Sequence, residues 1–293
     1  GDGANSGCKD ELETVFAVLS RARRRAGIAI FYVVGNHDYL ATGNQSDRSL
    51  RSIACGGGEY DTKSDLVARI AAFNRASWES YARGEGIFVN YEDSLSDVMS
   101  NGAGCEAVEE DQDVEGCFYA AVLRYRRNGR EGVLLLLDTS DYRDVHYTPD
   151  FLGFGPLANV RGVRGGISFM SGGQTAWIKS RIPSGVDIDT LILASHYPSS
   201  DLKWMMFPSG RNGELLIGKG QNIWLSAHTH EENPAKDILR GSYYRYRDDE
   251  RKKRRSNLYD EINVGSTTDH RAHAAIATIS DAPAKKEPIL AIG

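Results

Sequence analysis

The chain has 293 residues, with 35 Lys and Arg against 40 Asp and Glu, giving a net charge of -5. A hydrophobic fraction of 41% argues against disorder, and the near balance of charge argues against a nucleic-acid partner, since dedicated nucleic-acid binders are ordinarily basic. No apolar run approaches the roughly 20 residues that a membrane span requires, so no membrane span is expected; the longest runs, Ile28 to Val34 and Val133 to Leu137, have the length of buried strands.

In chain order, residues 10–26 carry apolar residues at Leu12, Val15, Phe16, Leu19 and Ala22, one face of a helix that Gly27 ends. The continuous run Ile28 to Val34 predicts a strand buried on both faces. Residues 64–83 predict a second amphipathic helix through Leu66, Ile70, Phe73 and Tyr81, followed by a short strand at 87–91. Further strands are expected at 118–126 and 132–138, a helix at 174–182, and strands at 189–194, 222–227 and 261–264. Ser242 to Arg247 alternates aromatic and basic residues, as a half-exposed antiparallel strand would, and Ala274 to Ile279 closes the pattern. The stretches 39–62 and 139–172 lack periodicity and read as long loops of a single domain covering 1–293.

Cys8, Cys55, Cys105 and Cys117 are too few and too scattered for a disulfide scaffold, and none forms a C-x-x-C pair. A Cys105–Cys117 bridge would close an acidic loop, while Cys8 and Cys55 pair only where the fold brings them together. The even count leans towards an oxidising, extracytoplasmic compartment, periplasmic, secreted or lumenal. The acidic loop lacks the regular spacing of a calcium site, and Arg251 to Arg255 reads as a solvated hairpin loop.

The chemistry collects where strands end. Ile28 to Val34 runs into Gly35-Asn36-His37-Asp38, Leu191 to Ala194 into Ser195-His196, and Ile223 to Leu225 into Ser226-Ala227-His228-Thr229-His230. The runs ending at Leu137 and Val264 likewise lead to Asp138 and Asp269. In open α/β sheets ligands bind beyond the carboxyl ends of strands. His228 and His230, two residues apart in extended chain, share a face and suit a common cation. Asn36 adds an amide oxygen that fits mixed nitrogen and oxygen coordination, and Asp2 adds a carboxylate.

Gly1-Asp2-Gly3-Ala4-Asn5, Gly35-Asn36-His37-Asp38, His196 and Ala227-His228-Thr229-His230, in that order, resemble the calcineurin-like metallophosphoesterase superfamily. That family's pattern is D-x-H, G-D-x-x-[D/N], G-N-H-[D/E], H, G-H-x-H, so the resemblance spans essentially the whole chain. It implies an α/β fold, a four-layer α/β/β/α sandwich of two mixed sheets. It also implies a centre of two divalent metal ions (Mn, Fe, Zn or Mg), with Asp2 bridging both, Asn36, His196 and His228 on the second metal and His230 on the first. His37 would be the catalytic imidazole, with Asp38 orienting it. Two cations about 3.5–4 Å apart clamp a phosphoryl oxygen and make hydroxide available as the nucleophile.

Two departures stand out. Ala227 replaces the family's Gly, and D-x-H has no counterpart ahead of Gly1. The expectation is an N-terminally incomplete domain whose first strand comes from an N-terminal fragment or a second chain. The resemblance implies a phosphate-ester substrate, either monoester or diester. Loops 39–62, 139–172 and 197–214, with aromatic and Met residues such as Tyr147, Phe151, Trp204 and Met205, would choose it or simply pack together. The alternative is a non-catalytic member of the fold, a binding or assembly module with an incomplete metal site.

Overall fold

In the computed structural model of this chain, the described residues are 3, 7–38, 55–56, 63–82, 88–95, 118–127, 129–140, 172–182, 188–197, 221–227 and 260–263. The apolar runs become strands β1 (Phe88–Asp93), β2 (Ala121–Arg127), β3 (Arg130–Leu136), β4 (Thr190–Ala194), β5 (Gln221–Ser226) and β6 (Asp260–Asn263). They form one six-stranded sheet in chain order. β1, β2 and β3 pair antiparallel, and β3 to β6 pair in parallel, so the sheet is mixed. Between β2 and β3 the register closes on Arg127 opposite Arg130, ends that only two residues of sequence, Asn128-Gly129, separate. An Asn-Gly pair is the composition that such a two-residue reversal favours.

Alternation along β2 and β3 divides the core between the two faces of the sheet. Ala121, Leu123 and Leu136 join Leu12 and Phe16 of helix α1 (Lys9–Ala26) and Leu66, Val67, Ile70, Ala71 and Phe73 of helix α2 (Lys63–Ser77). Val122, Val133 and Leu135 instead join Leu191, Leu193, Trp224 and Ile178 of helix α3 (Gly172–Arg181). The fold is therefore α/β, a mixed sheet with helices against both faces. A second sheet is not among the described residues, so the sandwich expected from the sequence is seen here only as its coarser class.

Local chemistry accounts for the helix ends. In α1, Glu11 reaches back to accept a hydrogen bond from the Cys8 amide, and Gly27 closes the helix by donating to the Arg23 carbonyl at 2.9 Å. Acidic Asp10 and Glu11 occupy its first turn and Arg23, Arg24 and Arg25 its last, each matching the helix dipole. The helix expected over 64–83 is regular only to Ser77, and Trp78–Ala82 continue it as a π turn.

One expectation is corrected. The run Ile28 to Val34 does not join the sheet among the described residues, and it is not buried on both faces, since Ile28 is exposed and Ile30, Phe31 and Val33 are half-buried. Side chains of α2 occupy its backbone instead. Ser77 Oγ accepts from the Ile30 amide at 2.8 Å, and Asn74 Oδ1 accepts from the Tyr32 amide at 2.7 Å. Asn74 Nδ2 donates to the Tyr32 carbonyl at 2.8 Å. A carboxamide thus serves as a one-residue substitute for a neighbouring strand, pairing both backbone groups of a buried residue. Tyr32 and Val34 pack in the same cluster as α1, α2 and the sheet residues Ala121, Leu123 and Leu136.

The strands expected at 242–247 and 274–279, and the Cys105–Cys117 bridge, lie outside the described residues, as does nearly all of the loops at 39–62 and 139–172. Cys8 and Cys55 form a disulfide, so the fold does bring these two together. No helix among the described residues is long and apolar enough to cross a membrane.

Candidate metal centre

Parallel pairing of β3 to β6 gathers the carboxyl ends of four strands along one edge of the sheet. The ladders continue beyond the strands. Leu137 donates to the Ala194 carbonyl, Ser195 to the Leu225 carbonyl and Ala227 to the His196 carbonyl, each at 2.9 Å. The last of these bonds places the backbone preceding His228 directly beside His196.

The segment 35–38 meets this edge through side chains. His196 Nε2 stands 2.7 Å from Asn36 Oδ1, and both residues are buried. In this contact the imidazole donates from Nε2 to the amide oxygen; with a cation bound, its proton would sit on Nδ1 and Nε2 would present a lone pair. An imidazole nitrogen and an amide oxygen converging in a buried position are a donor pair that fits a divalent ion. The His196 ring is fixed by Tyr197, whose ring stands edge-on at 5.2 Å. Tyr197 is itself fixed, donating from its amide to Thr139 Oγ1 at 3.1 Å and accepting from Ser195 Oγ at 2.6 Å, while Trp224 Nε1 donates to that Oγ at 2.7 Å.

Asp138, at the end of the β3 ladder, is wholly buried and belongs to a framework rather than an open mouth. Its carboxylate accepts from the amides of Ser140 and Tyr119, while Gln174 pairs with its backbone through both amide atoms.

His37 is half-buried, on the turn formed by 36–38. The buried Asp38 carboxylate accepts from the Gly35 amide at 2.8 Å and from the Tyr32 hydroxyl, which is 2.8 Å from both carboxylate oxygens. These bonds tie the turn shut from inside. The segment leading into α1 packs on the same turn. A Cβ on Gly7 would stand 2.5 Å from the Asp38 carbonyl oxygen, and Gly7 has a positive φ of 71°, so both space and backbone require glycine there. One residue on, the Cys8–Cys55 disulfide fastens this junction to the loop that follows the turn.

Of the residues singled out by the sequence, Asn36 and His196 are thus in direct contact, with His37 and Asp38 on the adjoining turn. Asp2, His228 and His230 lie outside the described residues, and among those described no group of three His, Cys, Asp or Glu gathers as a metal site. Compared with family models, curated proteins and solved structures, the chain matches none.

Sequence reasoning passed over Tyr32, Asn74 and Ser77, which hold the segment carrying the turn. The signal was present but weak. Asn74 and Ser77, three apart in α2, are polar residues on the face that buries Ile70 and Phe73, and Tyr32 is the one residue with a polar tip in an apolar run.

Proposed function

We propose that this chain is a metal-dependent phosphoesterase of the calcineurin-like metallophosphoesterase type, hydrolysing a phosphomonoester or phosphodiester. The observation that carries the reading is the 2.7 Å contact between Asn36 Oδ1 and His196 Nε2, residues 160 apart in sequence that belong to separate motifs of that family. The bond from the Ala227 amide to the His196 carbonyl supports it by bringing the chain before His228 to the same point.

In this reading Asn36, His196 and His228 would hold one divalent ion and His230 the other, with Asp2 contributing its carboxylate to the pair. When bound, the ions supply Lewis acidity and an activated water. The chain's own contribution is positional and acid–base. Asn36 Oδ1 and His196 Nε2 already converge in a buried position, so little ordering remains to oppose binding once the bond between them is exchanged for the ion. His37, half-buried on its turn, can deliver a proton to the departing alkoxide, and Asp38 holds that turn in shape.

The four-layer sandwich is part of the same proposal. Its support is that the 28–34 run packs with both the sheet and the two helices, where an inner strand of a second sheet would lie. An extracytoplasmic location is supported by the Cys8–Cys55 disulfide.

The test is turnover of p-nitrophenyl phosphate and bis-p-nitrophenyl phosphate by the full chain with Mn²⁺, alongside calorimetric Mn²⁺ binding. The expectation is hydrolysis of at least one ester, a kcat loss of about 10²–10⁴ in His37→Ala, and weakened Mn²⁺ binding in Asn36→Ala and His196→Ala. A chain that hydrolyses neither ester refutes the proposal and leaves the non-catalytic module.

A further inference from the structure

We infer that Tyr32 is a positioning residue of this site, its hydroxyl acting as the joint between the Gly1-Asp2-Gly3 motif and the Gly35-Asn36-His37-Asp38 turn. The inference rests on the phosphoesterase reading. Three bonds meet at one oxygen. Tyr32 Oη is 2.8 Å from both Asp38 carboxylate oxygens, sharing its proton between them, and it accepts from the Gly3 amide at 2.9 Å. One phenol therefore binds the carboxylate that closes the turn and the backbone adjacent to Asp2.

The surroundings make this joint rigid. The Tyr32 ring is 7% exposed and lies 5.1 Å from the Phe16 ring, and its backbone is held on both sides by Asn74. A Cβ on Gly3 would stand 2.5 Å from Tyr32 Oη and 2.7 Å from Val15 Cγ1, so the Gly3 backbone can approach the hydroxyl only because it lacks a side chain. Asn74 Nδ2 also donates to Tyr119 Oη, which lies 3.0 Å from Tyr91 Oη, so the Tyr32 backbone, which carries the ring and its hydroxyl, is the inner end of a polar chain running out through α2 and β1. Buried networks of this kind hold a geometry when every member is satisfied.

Deleting the hydroxyl while keeping the ring should leave the fold and disturb the two motifs together. Tyr32→Phe in the full chain is expected to keep its circular dichroism spectrum, lower kcat about 10–100-fold with KM within about twofold, and weaken Mn²⁺ binding measured by calorimetry. Because Tyr32 acts through Asp38, Tyr32→Phe combined with Asp38→Asn should lose little beyond Asp38→Asn alone. Phe16→Leu, which loosens the packing of the same ring and leaves the hydroxyl in place, is the control and should retain wild-type kcat.

Wild-type kcat and Mn²⁺ affinity in Tyr32→Phe overturn the inference while leaving the phosphoesterase reading standing. Additive losses in the double variant, or an equal kcat loss in Phe16→Leu, also overturn it. Where wild type turns over neither ester, the phosphoesterase reading fails, and Mn²⁺ binding alone then decides: a loss of affinity in Tyr32→Phe supports the joint and an unchanged affinity overturns it.

Discussion

Replacing Asn74 by Ala tests whether a side chain truly substitutes for a strand. Asn74 is wholly buried, and its carboxamide pairs the Tyr32 amide at 2.7 Å and the Tyr32 carbonyl at 2.8 Å, with a further bond to the Tyr119 hydroxyl at 2.7 Å. Alanine would leave both backbone groups of a buried residue without these partners. At roughly 1–3 kcal/mol for each unsatisfied buried group, the two together cost about 2–6 kcal/mol. That is a large part of the roughly 5–15 kcal/mol by which a domain is ordinarily stable.

Ser77→Ala supplies the comparison. It removes a single bond to the amide of half-buried Ile30, where water can replace it, and the expected loss is about 0.5–1.5 kcal/mol. Urea unfolding followed by tryptophan fluorescence measures both, read as a shift in midpoint at unchanged slope. If Asn74→Ala costs no more than Ser77→Ala, the 28–34 run is held by something other than α2 and the reasoning fails.

Three further outcomes are expected. Burial pushes the Tyr91 and Tyr119 phenols above their ordinary value of 10.0, Tyr91 further through its proximity to Tyr119 and Asp93, while the bonds of Tyr119 to Tyr91 and Asn74 partly offset its rise. The unfolded chain gives up these protons from about pH 10 and the native state does not, so stability present below pH 10 falls as pH rises above it. The slope approaches about 1.4 kcal/mol per pH unit for each phenol, and pH-dependent urea unfolding of Tyr91→Phe should show it smaller by about that amount. Cys8 and Cys55 close a loop with a sequence separation of 47, for which chain entropy assigns about 4 kcal/mol. The Cys8→Ser, Cys55→Ser double variant should accordingly melt at a lower temperature by scanning calorimetry, and an unchanged melting temperature would count against this contribution. Leu193→Ala, in the wholly buried centre of β4, should cost about 2–5 kcal/mol in the same urea assay, since the close-packed face against α3 cannot collapse around the cavity.

The sequence by itself determined much of the scaffold. Period-3.6 spacing located α1 and α2, Gly27 fixed the end of α1, and apolar runs located the described strands to within a few residues, because these signals are local and each depends on neighbours along the chain. It also named Asn36 and His196, through the order of the motifs in which they stand, since a lone polar residue after a strand is more often structural, as Asp138 is. What it could not determine is which runs pair. Ile28 to Val34 and Leu191 to Ala194 read alike, yet among the described residues β4 enters the sheet while the other run is bonded by Asn74 and Ser77. A backbone amide requires a partner but does not specify a strand, and the position of α2 decided that side chains would pair with the Ile30 and Tyr32 amides. The Cys8–Cys55 pairing and the meeting of Gly3, Tyr32 and Asp38 at one hydroxyl were likewise decided in tertiary structure. Contacts between residues distant in sequence follow from how the layers pack, and no local pattern of residues encodes them.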